Sequence, residues 1–307
     1  MTTLIVHHDD CLRHDTGAKH PESPQRVEAV LGAIGDLDGL EFLPAPRAEH
    51  AELTRVHPPA YLERVTRAIP SEGRSTLDEH DNVISPGSLD AALRGAGAIC
   101  FAIDQVMAGH GNNAFCATRP PGHHAESALA MGFCLFNNIA IGARHAQKAH
   151  ALQRIAILDF DVHHGNGTQA IFEQDPSVLF ISSHQMPLYP GSGMPDEAGR
   201  GNILNLPLRP ATGSPEFRDA WTNIAFPAVR AFDPDLILVS AGFDAHHKDP
   251  LAQIELDTED YGWITREIAV LAEEACAGRL VSILEGGYHL EALAASARAH
   301  VKALATA

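Results

Sequence analysis

The chain has 307 residues, of which 45% are hydrophobic, so it can bury a sizeable core. Its 22 basic and 39 acidic residues give a formal net charge of −17, which opposes binding to nucleic acid, because such binding neutralises phosphates with lysine and arginine. No apolar run is long enough to span a bilayer, and the N-terminal segment MTTLIVHHDD lacks the features of a signal peptide. The scattered cysteines, five in number and without a CxxC pair, indicate free thiols in a reducing cytoplasm. A homo-oligomer is compatible with this sequence.

Short apolar segments alternate with longer segments of helical periodicity along the chain. The predicted strands are residues 3–7, 114–118, 154–160, 178–183, 235–241 and 279–285. The first predicted helix follows Ser23-Pro24, with serine as N-cap, and the others are residues 57–69, 88–109, 137–153, 215–232, 258–277 and a last helix from about Leu290. This alternation predicts an α/β fold with a largely parallel sheet covered by helices on both faces. We expect residues 1–307 to form a single domain.

Polar clusters follow five of the predicted strands. In chain order they are RPPGHHA, DVHHGNG, HQMPLYPGSG, FDAHHKDP and GGYHL. The carboxyl ends of parallel strands meet at one edge of a sheet, where ligands of open α/β folds bind. The sequence therefore predicts one crevice built from five separate segments.

The segment DFDVHHG contains a candidate metal site. Asp161 and His163 lie two residues apart in a segment expected to be extended, so their side chains would leave the same face. Asp244, in FDAHH after another strand, provides a third ligand. Two carboxylates and one imidazole with an open position suit a catalytic Zn²⁺, although so oxygen-rich a set also suits Fe²⁺.

The adjacent His123 and His124 are candidates for the acid and base of a hydrolysis. Each imidazole needs a partner on its other nitrogen, and Asp159 and Asn166 flank the metal ligands. An anionic partner would raise the pKa of its histidine, whereas a neutral asparagine would leave its histidine freer to act as a base. Tyr288, after two glycines that permit a sharp turn, would donate its hydroxyl to a developing oxyanion.

Five motifs in this order and spacing, RPPGHHA, GFC, DFDVHHGNG, AGFDA and EGGY, resemble the histone deacetylase family, in particular its zinc-dependent members and the class II-like bacterial histone deacetylase-like amidohydrolases. The resemblance covers nearly the whole chain, including HPESPQR at 20–26, and implies the arginase/deacetylase fold. It implies that Asp161, His163 and Asp244 are the zinc ligands. It also implies that His124 is the general base, that Asp159 pairs with His123, and that Tyr288 polarises the carbonyl.

The resemblance further implies an acyl-lysine tunnel. Phe133 would form one wall, with Gly132 lining the tunnel beside it. Tyr189 stands where the family usually has the phenylalanine of the opposite wall, and this departure adds a polar edge. The loops around HPESPQR and EHDNVISPGS are expected to form the rim, where Asp81 or Asn82 would contact the substrate backbone.

The resemblance also implies a monovalent cation, K⁺ or Na⁺, behind the zinc site. Its expected ligands are Asp159, Asp161, His163, Ser182 and Ser183. Two other positions place the chain within the family. Asn166 stands where class I members carry aspartate, and Leu251 stands where polyamine-selective relatives carry a glutamate. The leucine implies an acyl-lysine-like or neutral substrate.

The sequence therefore predicts a zinc-dependent deacetylase that hydrolyses N-acyl amides, most directly ε-N-acetyl-lysine in proteins or peptides. An acetylpolyamine or other small N-acyl amine amidohydrolase is the first alternative, favoured by the acidic net charge and opposed by Leu251. A ureohydrolase of the arginase type shares the fold but uses two manganese ions and further acidic ligands. The remaining alternative is a non-catalytic module that binds acylated partners.

Overall fold

A computed structural model describes residues 2–306. Its strands are β1 (Thr3–His7), β2 (Leu40–Pro44), β3 (Ser75–Leu77), β4 (Glu79–Ile84), β5 (Asn113–Cys116), β6 (Ile155–Asp159), β7 (Val178–Gln185), β8 (Ile203–Leu208), β9 (Leu236–Ala241) and β10 (Leu280–Leu284). Eight of them form one sheet in the order β2-β1-β5-β10-β9-β6-β7-β8, in which every neighbouring pair is parallel. The remaining two, β3 and β4, form an antiparallel hairpin.

Helices cover both faces of the sheet. They are α1 (Gln25–Ile34), α2 (His50–Leu53), α3 (Pro59–Ala68), α4 (Ser88–Met107), α5 (Asn138–His150), α6 (Asn166–Phe172), α7 (Ser214–Ala220), α8 (Phe226–Phe232), α9 (Thr258–Cys276) and α10 (Leu290–Ala305). Residues of α2 to α6 pack in one apolar core, and residues of α1 and α7 to α10 pack in the other. No helix in this part of the chain is both long enough and apolar enough to cross a bilayer.

Alternation along the strands supplies both cores. In β1, Leu4 and Val6 point into one core and Ile5 into the other. Successive side chains of a strand point to opposite faces of the sheet. Because helices cover both faces, the side chains on both of them can be apolar. This explains why the central strands are short continuous apolar segments.

The fold confirms the predicted largely parallel α/β sheet and all six predicted strands, with ends shifted by up to two residues. The sequence did not indicate β2 and β8, which form the two edges of the sheet, the hairpin of β3 and β4, or the short helices α2 and α6. The helix predicted at 215–232 is interrupted by a π-helical turn at Trp221–Ala225. Pro24, rather than Ser23, occupies the N-cap position of α1.

A buried ion-pair cluster links the segment before α1 to the loops after β5 and β10. Arg119 contacts both carboxylate oxygens of Glu22 at 2.7 and 2.5 Å, and Arg26 contacts the same carboxylate at 3.1 Å. Arg26 also donates through Nε to the carbonyl of Gly287 at 2.7 Å. Burial alone would raise the pKa of Glu22, but the two guanidinium groups hold it at about 2.

Replacing Glu22 by glutamine is expected to lower the free energy of unfolding by about 3–5 kcal/mol, because two buried guanidinium groups lose their counter-charge. The lowered pKa means that this stabilisation is fully present above the ordinary carboxyl pKa of 4.5 and is lost as the pH falls towards 2. Urea unfolding at neutral pH measures the change, with the exposed Glu72→Gln as control. An unchanged midpoint for Glu22→Gln would contradict this account.

Candidate active site

The predicted polar clusters follow five strands that are adjacent in the sheet, in the order β5-β10-β9-β6-β7. Because these strands are parallel, their carboxyl ends lie side by side and bring residues 119–125, 286–289, 242–250, 160–166 and 186–193 to one edge. The single crevice expected from the sequence is therefore present at the centre of the sheet.

The three candidate metal ligands converge at this edge. Asp161, His163 and Asp244 are buried, and each offers a ligand atom within 4.8 Å of the others. Nδ1 of His163 lies 3.0 Å from Asp161 Oδ1 and 3.1 Å from Asp244 Oδ2. The segment after β6 is a series of bends, not the extended chain expected from the sequence, and the N–H of His163 donates to Asp161 Oδ1 at 2.9 Å. The bend, rather than strand alternation, brings the two side chains together.

The charge of this group fits a divalent cation. Burial and the neighbouring Asp161 carboxylate raise the pKa of Asp244 to about 7. A bound cation would relieve that cost, because two carboxylates packed together in a protein interior repel each other. Gly286 keeps the backbone close to the group, since a Cβ there would lie 2.0 Å from Asp244 Oδ2. The donor set therefore fits the zinc ion that the sequence predicts.

The two adjacent histidines have different partners. Nδ1 of His123 lies 2.9 Å from Asp159 Oδ2, and Nδ1 of His124 lies 2.8 Å from Asn166 Oδ1. The amide nitrogen of Asn166 faces Met131 Sδ at 3.1 Å, so its oxygen is the atom turned towards His124. These are the two partners that the sequence singled out.

Their surroundings separate the two imidazoles electrostatically. Burial lowers the pKa of His123, but the carboxylates of Asp159, Asp161 and Glu285 outweigh it and raise that pKa well above its usual value. Burial lowers the pKa of His124 well below its usual value, and the charges of neighbouring histidines lower it further. These surroundings favour the cationic form of His123 and the neutral form of His124, whose ring centroids are 4.1 Å apart.

Glu285 supports this pair and was missed as a site residue by the sequence analysis. Its Oε2 accepts from the backbone N–H groups of Gly122 at 2.7 Å and His123 at 3.2 Å, and Ser240 Oγ donates to Oε1 at 3.1 Å. Burial raises the pKa of Glu285 to about 7. Its only sequence signal was an acidic residue at the end of a buried strand.

Asp249 was also missed, and it links Tyr288 to Leu251. Its carboxylate accepts from the N–H of Tyr288 at 2.7 Å and from the N–H of Leu251 at 3.0 Å. The Tyr288 ring packs edge-on against Phe133 at 6.0 Å, and Arg26 lies over its face at 4.9 Å. Both Tyr288 and Leu251 are thereby fixed on the wall of the same cavity.

A cavity of about 230 Å³ opens from solvent to His124 and His163. Its lining includes the four expected tunnel residues, Gly132, Phe133, Tyr189 and Leu251, together with Asp81, His124, His163, Leu188 and Tyr288. Leu188 was not indicated by the sequence. The cavity therefore joins a mostly apolar entrance to the candidate metal ligand His163 and to His124.

The wall formed by Gly132 and Phe133 has an unusual backbone. Both residues have left-handed conformations, with φ of 55° and 68°. A Cβ at Gly132 would lie 2.3 Å from the ring of His124, so only glycine permits this close approach. Phe133 has a conformation costly for a non-glycine residue, and such conformations concentrate at functional sites.

The rim is formed by the loop of residues 14–24 and by β4, a strand of the hairpin where the sequence analysis expected a loop. His20 packs edge-on against Phe133 at 4.7 Å, and its Nε2 lies 3.0 Å from the carbonyl oxygen of Asp81. Asp81 lines the cavity, and its Oδ1 is buried without a hydrogen-bond partner among residues 2–306. Asn82 instead points inward and donates to the carbonyl of Leu77 at 3.2 Å. Of the two rim candidates, only Asp81 faces the cavity.

The residues expected to hold a monovalent cation lie at the ends of β6 and β7. Asp159 pairs in register with Ser182, and its Oδ1 accepts from the N–H of Asp161 at 3.1 Å. The hydroxyl of Ser182 lies 3.0 Å from His184 Nδ1. Ser183 differs, because its hydroxyl accepts from Trp221 Nε1 at 3.1 Å in the apolar core. The side chain of Ser183 is therefore directed away from this group.

The fold and the site define a hydrolase of the arginase/deacetylase fold. Residues 20–304 match the histone deacetylase domain, so the chain belongs to the histone deacetylase family and is a deacetylase. Zinc dependence is typical of this family.

Three similar proteins illustrate the range of the family. The histone deacetylase-like amidohydrolase of Pseudomonas aeruginosa is 42% identical over 276 residues, which cover 88% of this chain and 72% of that protein. The human polyamine deacetylase HDAC10 is 39% identical over 319 residues, which cover 96% of this chain and 47% of that protein. The crystal structure of the HDA15 HD domain superposes with a TM-score of 0.93 at 34% identity, covering 99% of this chain and 88% of that one.

Proposed function

We propose that the protein hydrolyses ε-N-acetyl-lysine in proteins or peptides. The observation that carries this proposal is the cavity, whose walls of Phe133, Tyr189 and Leu251 lead to His124 and His163. An unbranched methylene chain fits between such apolar walls, while its amide reaches the polar groups beyond them. The buried, unpartnered oxygen of Asp81 is placed to accept a hydrogen bond from the substrate backbone.

Asp161, His163 and Asp244 would hold the zinc ion, with Fe²⁺ as the alternative metal. Zinc, when bound, supplies a Lewis acid that lowers the pKa of water and polarises an amide carbonyl. Asp159, Ser182 and the backbone carbonyls of Asp161, His163 and Ser183 would hold K⁺ or Na⁺ behind this group. The buried carboxylate of Asp159 would provide the charge for that cation.

His124 is proposed to move the proton. Its Nδ1 donates to Asn166 Oδ1, which leaves Nε2 as the basic nitrogen. Because its pKa is lowered by burial and by neighbouring histidines, Nε2 is unprotonated before reaction. It accepts a proton from the attacking water and then delivers that proton to the nitrogen of the leaving amine.

His123 and Tyr288 are proposed to stabilise the negative charge that develops on the amide oxygen. Asp159 keeps His123 cationic, so His123 adds positive charge beside the reaction centre. The Tyr288 hydroxyl donates to the oxyanion, and burial raises its pKa well above the usual value, which keeps the phenol protonated. The Glu285 carboxylate positions His123, and the Asp249 carboxylate positions Tyr288, because each accepts a hydrogen bond from the backbone N–H of that residue.

An acetylpolyamine is the second candidate substrate. The net charge of −17 and the similarity to a polyamine deacetylase favour it, whereas the apolar Leu251 on the cavity wall opposes it. A ureohydrolase is disfavoured, because His164 bonds with Ser192 at 2.8 Å and with Gln169 at 2.9 Å. Asp161, His163 and Asp244 form a fully buried metal-ligand group, whereas the neighbouring group of His246, His247 and Asp257 has two exposed members.

We further propose that the whole chain acts as one catalytic domain in the cytoplasm. All of its cysteines are buried free thiols, Cys11, Cys100, Cys116, Cys134 and Cys276. Unpaired thiols are usual where the surroundings are reducing.

A substrate panel with the zinc-loaded protein tests the proposed function. We expect acetyl-lysine peptides to be hydrolysed with a kcat/KM at least about tenfold above that of longer acyl-lysines, acetylpolyamines and small N-acyl amines, a difference of about 1.4 kcal/mol in transition-state binding. Asp161→Ala is the inactive control, and a hydroxamate should inhibit the wild type. Preference for acetylpolyamines would replace the proposed substrate and keep the chemistry.

A further inference from the structure

One carboxylate connects the two walls of the cavity. The hydroxyl of Tyr189 donates to Oε2 of Glu79 at 3.0 Å, and the backbone N–H of Gly132 donates to the same oxygen at 3.2 Å. Gly132 adjoins Phe133 on one wall, and Tyr189 forms the other. Glu79 therefore spans the entrance from a third element, the hairpin of β3 and β4.

The hairpin is itself anchored to the loop that carries Gly132. Oδ2 of Asp78 accepts from the N–H of Ala130 at 2.8 Å, and Asp78 forms an ion pair with Arg64. Arg64 in turn donates to the carbonyl of Ala128 at 2.7 Å. Asp78 and Glu79 therefore accept hydrogen bonds from two N–H groups of one loop, those of Ala130 and Gly132. These two contacts fix Glu79 relative to the wall that carries Phe133.

The Tyr189 wall has less support of its own. Tyr189 lies in the loop after β7 and is 38% exposed to solvent. Its ring packs edge-on against His124 at 5.2 Å and lies 6.4 Å from His163. The hydrogen bond from the Tyr189 hydroxyl to the anchored Glu79 carboxylate therefore restricts how far this wall can move from the opposite wall.

We propose that Glu79 is a positioning residue that fixes the spacing of the two walls through Tyr189, and thereby selects substrates with an unbranched methylene chain on the amine side. The inference rests on the proposed deacetylase function. The small acyl group enters first, so the chain that carries the amine nitrogen is the part held between the walls. A phenylalanine at position 189 would lack the hydroxyl that makes this connection.

The test uses two peptides that differ only in the acetylated side chain, acetyl-lysine or 4-acetamidophenylalanine. Selectivity is the ratio of their kcat/KM values. Tyr189→Phe and Glu79→Ala should each lower this ratio roughly 3- to 10-fold, the worth of one hydrogen bond, mainly through a higher KM for the lysine peptide. The double variant should be no less selective than either single variant, because both remove the same connection.

Two further variants separate positioning from charge and from folding. Glu79→Gln keeps an oxygen that accepts both bonds and should retain most of the wild-type selectivity. Glu72→Gln, an exposed carboxylate in the turn before β3, is the matched control. A charge effect would instead lower kcat/KM on lysine-rich or polyamine substrates equally in Glu79→Gln and Glu79→Ala, and would leave kcat/KM of Tyr189→Phe unchanged. That result would overturn the proposal.

Binding of inhibitors provides a readout that does not depend on turnover. The Kd ratio for hydroxamates with linear alkyl and with aryl linkers should fall in Tyr189→Phe by a factor similar to the kinetic ratio. If the wild type hydrolyses neither peptide, the proposed function fails, and this binding ratio still decides the role of Glu79. If this Kd ratio is unchanged in both Tyr189→Phe and Glu79→Ala, the proposed role of Glu79 is overturned.

Discussion

Replacing Asp161 by alanine is expected to remove bound zinc and to lower kcat/KM by at least about 1000-fold, equivalent to about 4 kcal/mol of transition-state stabilisation. Asp161 faces His163 and accepts the N–H of Gly286 at 2.8 Å, so its carboxylate anchors the loop after β10 and would also ligate the metal. Activity and metal content, measured on the same preparation, check this expectation.

Zinc-dependent stability provides a second measurement for the same variant. Zinc should raise the Tm of the wild type, since a ligand that binds only the folded state stabilises it, and should leave the Tm of Asp161→Ala nearly unchanged. Asp196→Ala, which removes an exposed carboxylate, is the control and should behave as the wild type. An Asp161→Ala protein that retains stoichiometric zinc and full turnover would refute the assigned ligand set.

Replacing Tyr288 by phenylalanine is expected to lower kcat by about 100- to 1000-fold, the usual effect of removing one donor to an oxyanion, with KM changed much less. The ring would keep its contacts with Phe133 and Arg26, so the unfolding temperature should stay close to that of the wild type. Steady-state kinetics on the acetyl-lysine peptide measure the split between kcat and KM. A kcat within threefold of the wild type would remove the hydroxyl from the proposed chemistry.

The central part of the fold was predictable because it depends on local signals. Strands β1, β5, β6, β7, β9 and β10 are buried on both faces and therefore appear as short apolar segments. The edge strand β2 is largely exposed, and β8 contains Asn205 and Pro207, so neither has that signal. The hairpin strand β4, with the sequence EHDNVI, has too few apolar residues to be distinguished from a loop.

The candidate site shows a similar division. His123, His124, Asp161 and Asp244 were identifiable because unusual residue types cluster after strands. Glu285, Asp249 and Glu79 accept hydrogen bonds from backbone N–H groups of distant segments. Because almost every residue type has a backbone N–H, such contacts cannot be predicted from residue identity. The bend that brings Asp161 and His163 together also depends on contacts with the loop after β9, where Asp244 accepts the N–H of Val162 at 2.9 Å.

The position of β10 has a consequence for how the chain is made. β10 is the last strand in the sequence, yet it lies between β5 and β9. Without β10, the strand order would leave two separate parts, β2-β1-β5 and β9-β6-β7-β8, each with an unpaired inner edge of the kind that is prone to pairing with other chains. On the ribosome, residues 280–288 emerge after the other nine strands, so the catalytic edge can be completed only once β10 has emerged.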